Sequence, residues 1–224
     1  MPSSPRIALV HALRESQVPA WDAFATGWPG AAIFNLLDDS LSADFSAAGT
    51  LTQAMRQRFL TLGRYVASTD ADSRRTDAIL FTCSAFGQAI DAVKRDLTIP
   101  VLRPNEAAFE AALEAGNRIA LMTTFPKSLS PLVEELHTMA AERGLSPKIT
   151  TCVAEGGLEA LKAGNGADHD RIAARTAAGL TDIDVLVLCQ FSLARAASAI
   201  APVPGRIVLT TPGSAVAKLR GLLA

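Results

Sequence analysis

The chain is poor in the groups that most often announce a function. Of its 224 residues 5% are aromatic, with a single Tyr, and it holds only three His and three Cys. The formal net charge is −1, with no run of like charges. A phosphate-backbone binder shows a basic patch, so nucleic acid is excluded as a partner. No apolar stretch approaches the roughly 20 residues of a membrane span. Cys83, Cys152 and Cys189 are too scattered for a disulfide framework. His11, His137 and His169 lack ligand-like spacing, which argues against zinc. The triplet Asp168-His169-Asp170 would draw a cation at low affinity at most, and a charged helix start in a solvated loop accounts for it better. Neither GxGxxG after a strand nor GxxxxGK[ST] occurs, so nucleotide binding lacks a signal. The opening MPSSPRIALVHA lacks the basic start and cleavage site of a signal peptide, giving the expectation of a cytoplasmic protein with free thiols.

What is present is apolar and periodic. Hydrophobic residues make up 49% of the chain, ample for a core. RIALVHA, AAIFNLL, DAILFTC, IPVLR, NRIALMTT, KITTCVA, DVLVLC and GRIVLTT read as buried strands. TLTQAMRQRFLTLGRYV, NEAAFEAALEAG, SPLVEELHTMAAERG and ADHDRIAARTAAGL have helical periodicity, with Gly or Pro at their ends. Continuous apolar strands separated by helices predict an α/β fold with parallel sheets covered on both faces.

The pattern repeats. Arg6-Ile7-Ala8-Leu9 recurs as Arg118-Ile119-Ala120-Leu121, and each half then brings a second strand, a polar helix and a strand ending in cysteine. Two pseudosymmetric domains facing each other across a cleft are expected, 1–104 plus 206–224 and 105–205. The final strand and helix suit either half.

Cys83 and Cys189 each end a strand just before a helix. Ligands of parallel sheets bind there, and helix N-termini favour anions. That field is expected to lower the thiol pKa from its ordinary value of ~8.5. Two such thiols on one substrate carbon would serve stereoinversion by two bases. Cys152, inside KITTCVAEGG, has no partner in the first half and reads as filler. His11 ends the first strand and suits substrate binding or loop capping equally.

In the order RIALVHA, FTCSAFG, IPVLRPNEAA, RIALMTTF, LVLCQFSLA, the chain resembles the aspartate/glutamate/hydantoin racemase superfamily, which includes arylmalonate decarboxylases and maleate isomerases. The resemblance implies an interdomain site, no cofactor, no metal and a homodimer. It implies acid–base roles for Cys83 and Cys189, and carboxylate binding by Ser84, Ala85, Thr123 and Thr124. Many racemases have Asn-Thr after the first cysteine and Thr or Gly after the second, where this chain has Ser84-Ala85 and Gln190-Phe191; Phe125 and Gln190 join the expected substrate-binding residues. Decarboxylases tend to place a tyrosine near Phe125. Phe86, Phe125 and Phe191 suit a pocket for a less polar substrate or the core alike.

The expectation is therefore a cofactor-independent racemase or isomerase acting on a small carboxylate or related carbonyl compound. Loop amides with the Ser84, Thr123 and Thr124 hydroxyls would hold the enolate. Alternatives are a decarboxylase protonating through Cys189, a maleate-type isomerase, and a non-enzymatic small-acid binding protein.

Overall fold

The computed structural model describes residues 4–68 and 75–223, so the first three residues of MPSSPRIALVHA lie outside it. The chain forms two compact units, residues 1–104 with 215–224, and residues 105–214.

In the first unit, β1 (Arg6–His11), β2 (Ala32–Leu37), β3 (Ala78–Phe81) and β4 (Val101–Leu102) form one parallel sheet in the order β2-β1-β3-β4. In the second, β5 (Arg118–Thr123), β6 (Lys148–Val153), β7 (Val185–Leu188) and β8 (Ile207–Thr210) repeat it as β6-β5-β7-β8. The α/β expectation holds. Ala-Ile-Leu-Phe in β3 and Val-Leu-Val-Leu in β7 are buried at every position, as strands covered on both faces must be. The edge strand β2 exposes Phe34 and Asn35.

Helices α1 (Gln17–Gly27), α2 (Ser40–Ala48), α3 (Gln53–Ser68), α4 (Gly87–Asp96) and α5 (Glu106–Ala115) come before β5. Helices α6 (Leu129–Ala141), α7 (Gly157–Lys162) and α8 (Gly166–Ala178) come before β7, and α9 (Thr211–Leu223) follows β8. Local chemistry sets their ends. Asn165 caps α8 by accepting the Asp168 N–H at 3.2 Å. Lys94 and Arg95 sit in the last turn of α4, where the helix dipole favours cations.

The domain boundary expected at 206 needs correction. Ile207–Thr210 pairs residue for residue with Val185–Leu188, so this strand completes the second sheet. Only from Ala215 does the chain join the first unit, where Arg220 donates to the Gly27 carbonyl at 3.2 Å.

Candidate active site

In sheets of this order the chain leaves the first strand to one side for the second and to the other side for the third. The ends of those two central strands flank the switch point, where open α/β sheets bind ligands. At its own switch point the first unit places His11 and Thr82-Cys83, and at its own the second places Thr123-Thr124 and Cys189-Gln190.

Cys83 has extended backbone and opens a 3-10 turn over Ser84–Phe86. Phe86 is fully buried against Phe59 (ring centroids 4.8 Å apart) and Phe45 (5.3 Å), so the turn is anchored from below. Ser84 and Ala85 are half-buried. Cys83 packs among Val10, His11, Phe59 and Phe81, with no room for a water molecule between them. Desolvation pushes its pKa up to about 11, against the Ala85 N–H bonded to the sulfur, which pulls it down. The expected lowering by a helix N-terminus is overturned: the residue keeps some accessible surface, yet burial of the sulfur outweighs the local dipoles.

His11 is fully buried, with Nδ1 at 2.9 Å from Thr82 Oγ1 and Nε2 at 2.8 Å from Asn35 Oδ1. Trp21 Nε1, which can only donate, shares the same Asn35 oxygen at 3.0 Å. His11 therefore donates through Nε2 and accepts the Thr82 hydroxyl at Nδ1. Desolvation lowers its pKa, partly opposed by the Asn35 bond. Both ring nitrogens are occupied, so His11 holds the segment before Cys83.

Cys189 is placed differently. It is completely buried, packs with Val185, Val187, Phe109 and Leu132, and donates its thiol to the Val187 carbonyl at 3.4 Å. Burial first, then nearby Cys152 and Glu135, push its pKa well above the ordinary range. Gln190, half-buried, has the extended backbone before the next 3-10 turn, Phe191–Ala199. Its Oε1 accepts the Thr124 N–H at 2.6 Å and the Thr124 hydroxyl at 2.8 Å. Because the backbone N–H can only donate, this fixes the amide orientation and leaves Nε2 without a partner among the described residues.

The two sheets give a common ruler. Asp77 and Asp184 precede β3 and β7, and their carboxylates accept the N–H of Arg6 (2.7 Å) and of Arg118 (2.9 Å). Their own amides donate to the Arg6 and Arg118 carbonyls, both at 2.8 Å. Farther along, Thr82 N–H bonds Val10 and Cys189 N–H bonds Met122, while Ile7 pairs with Ala78 and Ile119 with Val185. Thr82 thus corresponds to Cys189, and Cys83 to Gln190.

Residues 39–219 match the family of Asp/Glu/hydantoin racemases. The chain belongs to that family. Among solved structures, allantoin racemase from Pseudomonas fluorescens is 18% identical, with a TM-score of 0.72 over 97% of this chain and 90% of that one. A glutamate racemase from Bacillus anthracis is 14% identical, with a TM-score of 0.71 over 99% and 82%. Aspartate racemase from Picrophilus torridus is 11% identical, with a TM-score of 0.69 over 97% and 94%. At such identities the likeness is one of fold. No curated protein matches the sequence.

Against the racemase-family expectation, the corrections are specific. Cys189 is not the counterpart of Cys83; it lies one residue early, and a one-residue slip sends a side chain to the opposite face. Thr123 is fully buried, and its hydroxyl is spent on Ser128 (2.8 Å) and the Phe125 N–H (3.1 Å), tying the turn after β5. Thr124 is also buried and engaged by Gln190, while Phe125 is half-buried. His169 sits inside α8, fully buried, with Nδ1 3.0 Å from the Gly157 carbonyl, rather than in a solvated loop. Asp168 and Asp170 pair with Arg171 and Arg195. Among the described residues no group of three His, Cys, Asp or Glu could hold a metal, and no helix is long and apolar enough to cross a membrane.

The Thr82–His11–Asn35–Trp21 chain was not anticipated from sequence, and no motif marks it. The place of Gln190 did have a signal. Cys83 is the sixth residue after Asp77, Gln190 is the sixth after Asp184, and Cys189 is only the fifth.

Proposed function

We propose that this racemase-family chain is a cofactor-independent enzyme that transfers a proton at the α-carbon of a small carboxylate or related carbonyl compound, with Cys83 as its acid–base group. The observation that carries the reading is the position of Cys83, at the switch point of its sheet, on a turn held by buried Phe86. A thiol that is protonated at neutral pH suits proton delivery to a carbanion. In the reverse direction a thiolate must form first, and the developing enolate needs preorganised donors. Ser84, with no side-chain partner among the described residues, and the amides of its turn support that role. Two-thiol racemisation would need Cys189 to reach the substrate. Its burial in the core of the second unit speaks against that half of the expectation, and equally against a decarboxylase that protonates through Cys189.

A homodimer in the cytoplasm belongs to the same proposal by resemblance, and light scattering on the purified chain checks the dimer. The chemistry is tested by incubating allantoin, 5-substituted hydantoins, glutamate, aspartate and arylmalonates in deuterated water. Deuterium entering the α-carbon, reduced on the order of 10²-fold or more in Cys83→Ser, is the expected result. A second reading, a small-acid binder without turnover, is favoured by the raised pKa of all three thiols. It predicts that acids shift the thermal midpoint while no deuterium enters in wild type or variant.

A further inference from the structure

We infer that Gln190 occupies in the second unit the place Cys83 holds in the first, so that one thiol serves proton transfer while the equivalent position of the second unit carries a binding amide. The inference rests on the proton transfer by Cys83 proposed above. Its own support lies in the two ladders. Each begins at an aspartate clamping the first strand's N–H and ends at the residue opening a 3-10 turn, Cys83 in one unit and Gln190 in the other. Both openers have extended backbone, φ −115° for Cys83 and −139° for Gln190. The residues before them, Thr82 and Cys189, are both buried and both bonded through N–H to the central strand.

The side chain at 190 has neither the acidity nor the basicity to exchange a proton with carbon. What it has is a locked carbonyl and a free amide. Thr124 holds Oε1 by two short bonds, so the Nε2 donors are presented in a fixed direction at the end of β7. A carboxylate or carbonyl oxygen is the ligand such donors recognise. A proton leaving the α-carbon goes to the Cys83 sulfur while the C–H electron pair passes into the enolate. It can return only from the same sulfur, whose proton exchanges with solvent. Solvent hydrogen therefore enters with configuration retained, and a carbanion made by another route is protonated on one face.

Two arms test this. In the native protein, iodoacetamide at pH 9–10 with peptide mass spectrometry should label Cys83 and leave Cys189 unlabelled. In Gln190→Cys the new thiol should be labelled. Labelling of Cys189 at a rate comparable with Cys83, or an inert thiol at 190 in a variant of native circular dichroism, overturns the assignment whether or not a substrate is known. The second arm uses single enantiomers of allantoin, glutamate and aspartate in deuterated water. Wild type and Cys189→Ala should wash deuterium in with retention. Gln190→Cys, with thiols at both equivalent positions, should gain racemisation on the order of 10²-fold. Gln190→Ala should raise KM about tenfold while leaving kcat within a few-fold. Inversion by wild type that is lost in Cys189→Ala sinks the inference and leaves Cys83 catalysis standing. Exchange that survives in Cys83→Ser sinks the underlying reading instead.

Discussion

A thiol at the end of a strand is governed by two opposed influences, and at Cys83 their order is plain. The Ala85 N–H points at the sulfur and favours thiolate, but the wall formed by Val10, Phe59 and Phe81 removes more solvation than one amide restores. With the pKa raised to about 11, thiolate is a small fraction at pH 7 and grows about tenfold per pH unit. Alkylation of Cys83 in the native protein should therefore accelerate about tenfold per unit from pH 7 to 10, measured by quenched iodoacetamide labelling. A rate that levels off near pH 9.5 would mean an ordinary thiol of pKa ~8.5, and one already level above pH 8 an activated thiol. The site was legible at this scale only in part. DAILFTC and DVLVLC both announce a strand ending in cysteine, and family resemblance invites pairing them. In fully buried strands every position is apolar, so hydrophobicity carries no alternation from which to read the face. Register decides it, through a main-chain ladder and an aspartate anchor that composition does not show.

At the scale of elements the reading from sequence fares better, because it needs only periodicity. The parallel sheets, the helices from Gln53, Glu106, Leu129 and Gly166, and the duplication were all visible as runs and breaks. Adjacency in sequence does not say which edge accepts a strand, so the half to which Ile207–Thr210 belongs is open in the sequence and is settled only by its pairing with β7. What makes the first unit's elements fit is close approach. Gly63 of α3 lies so near Val93 of α4 that a Cβ built on it would overlap Val93 Cγ1. Val93 is fully buried and stiff at χ1, so it cannot swing aside. Gly63→Ala should lower stability by about 1–3 kcal/mol, read from urea midpoints, despite Ala being the better helix former. Phe86→Ala empties the anchor under the Cys83 turn and should cost about 3–5 kcal/mol. It should also speed Cys83 alkylation, which a loss of stability without loosening of the turn would not do.

For the whole molecule, acid acts in two steps. His11 in the first unit is buried neutral, with its pKa lowered from 6.5. Below pH 6.5 the unfolded chain takes up a proton that the folded chain refuses, so stability is full above 6.5 and falls as pH drops toward the folded pKa. The slope is about 1.4 kcal/mol per pH unit in that window. Asp184 in the second unit is shifted in the same direction, from a lower ordinary value and for a different cause. Its bonds to the Arg118 guanidinium and N–H hold its pKa at about 2, below the ordinary 3.8. Its contribution is full above 3.8 and is lost only as pH falls toward 2. Calorimetry across pH 8 to 2 should thus show a first decline in the thermal midpoint beginning near 6.5 and a second beginning near 4. His11→Asn should flatten the first decline and leave the second; Asp184→Asn should do the reverse. If His11→Asn leaves the decline below 6.5 intact, the proton is being taken elsewhere, and the Thr82–His11–Asn35 chain is not what keeps the segment before Cys83 in place.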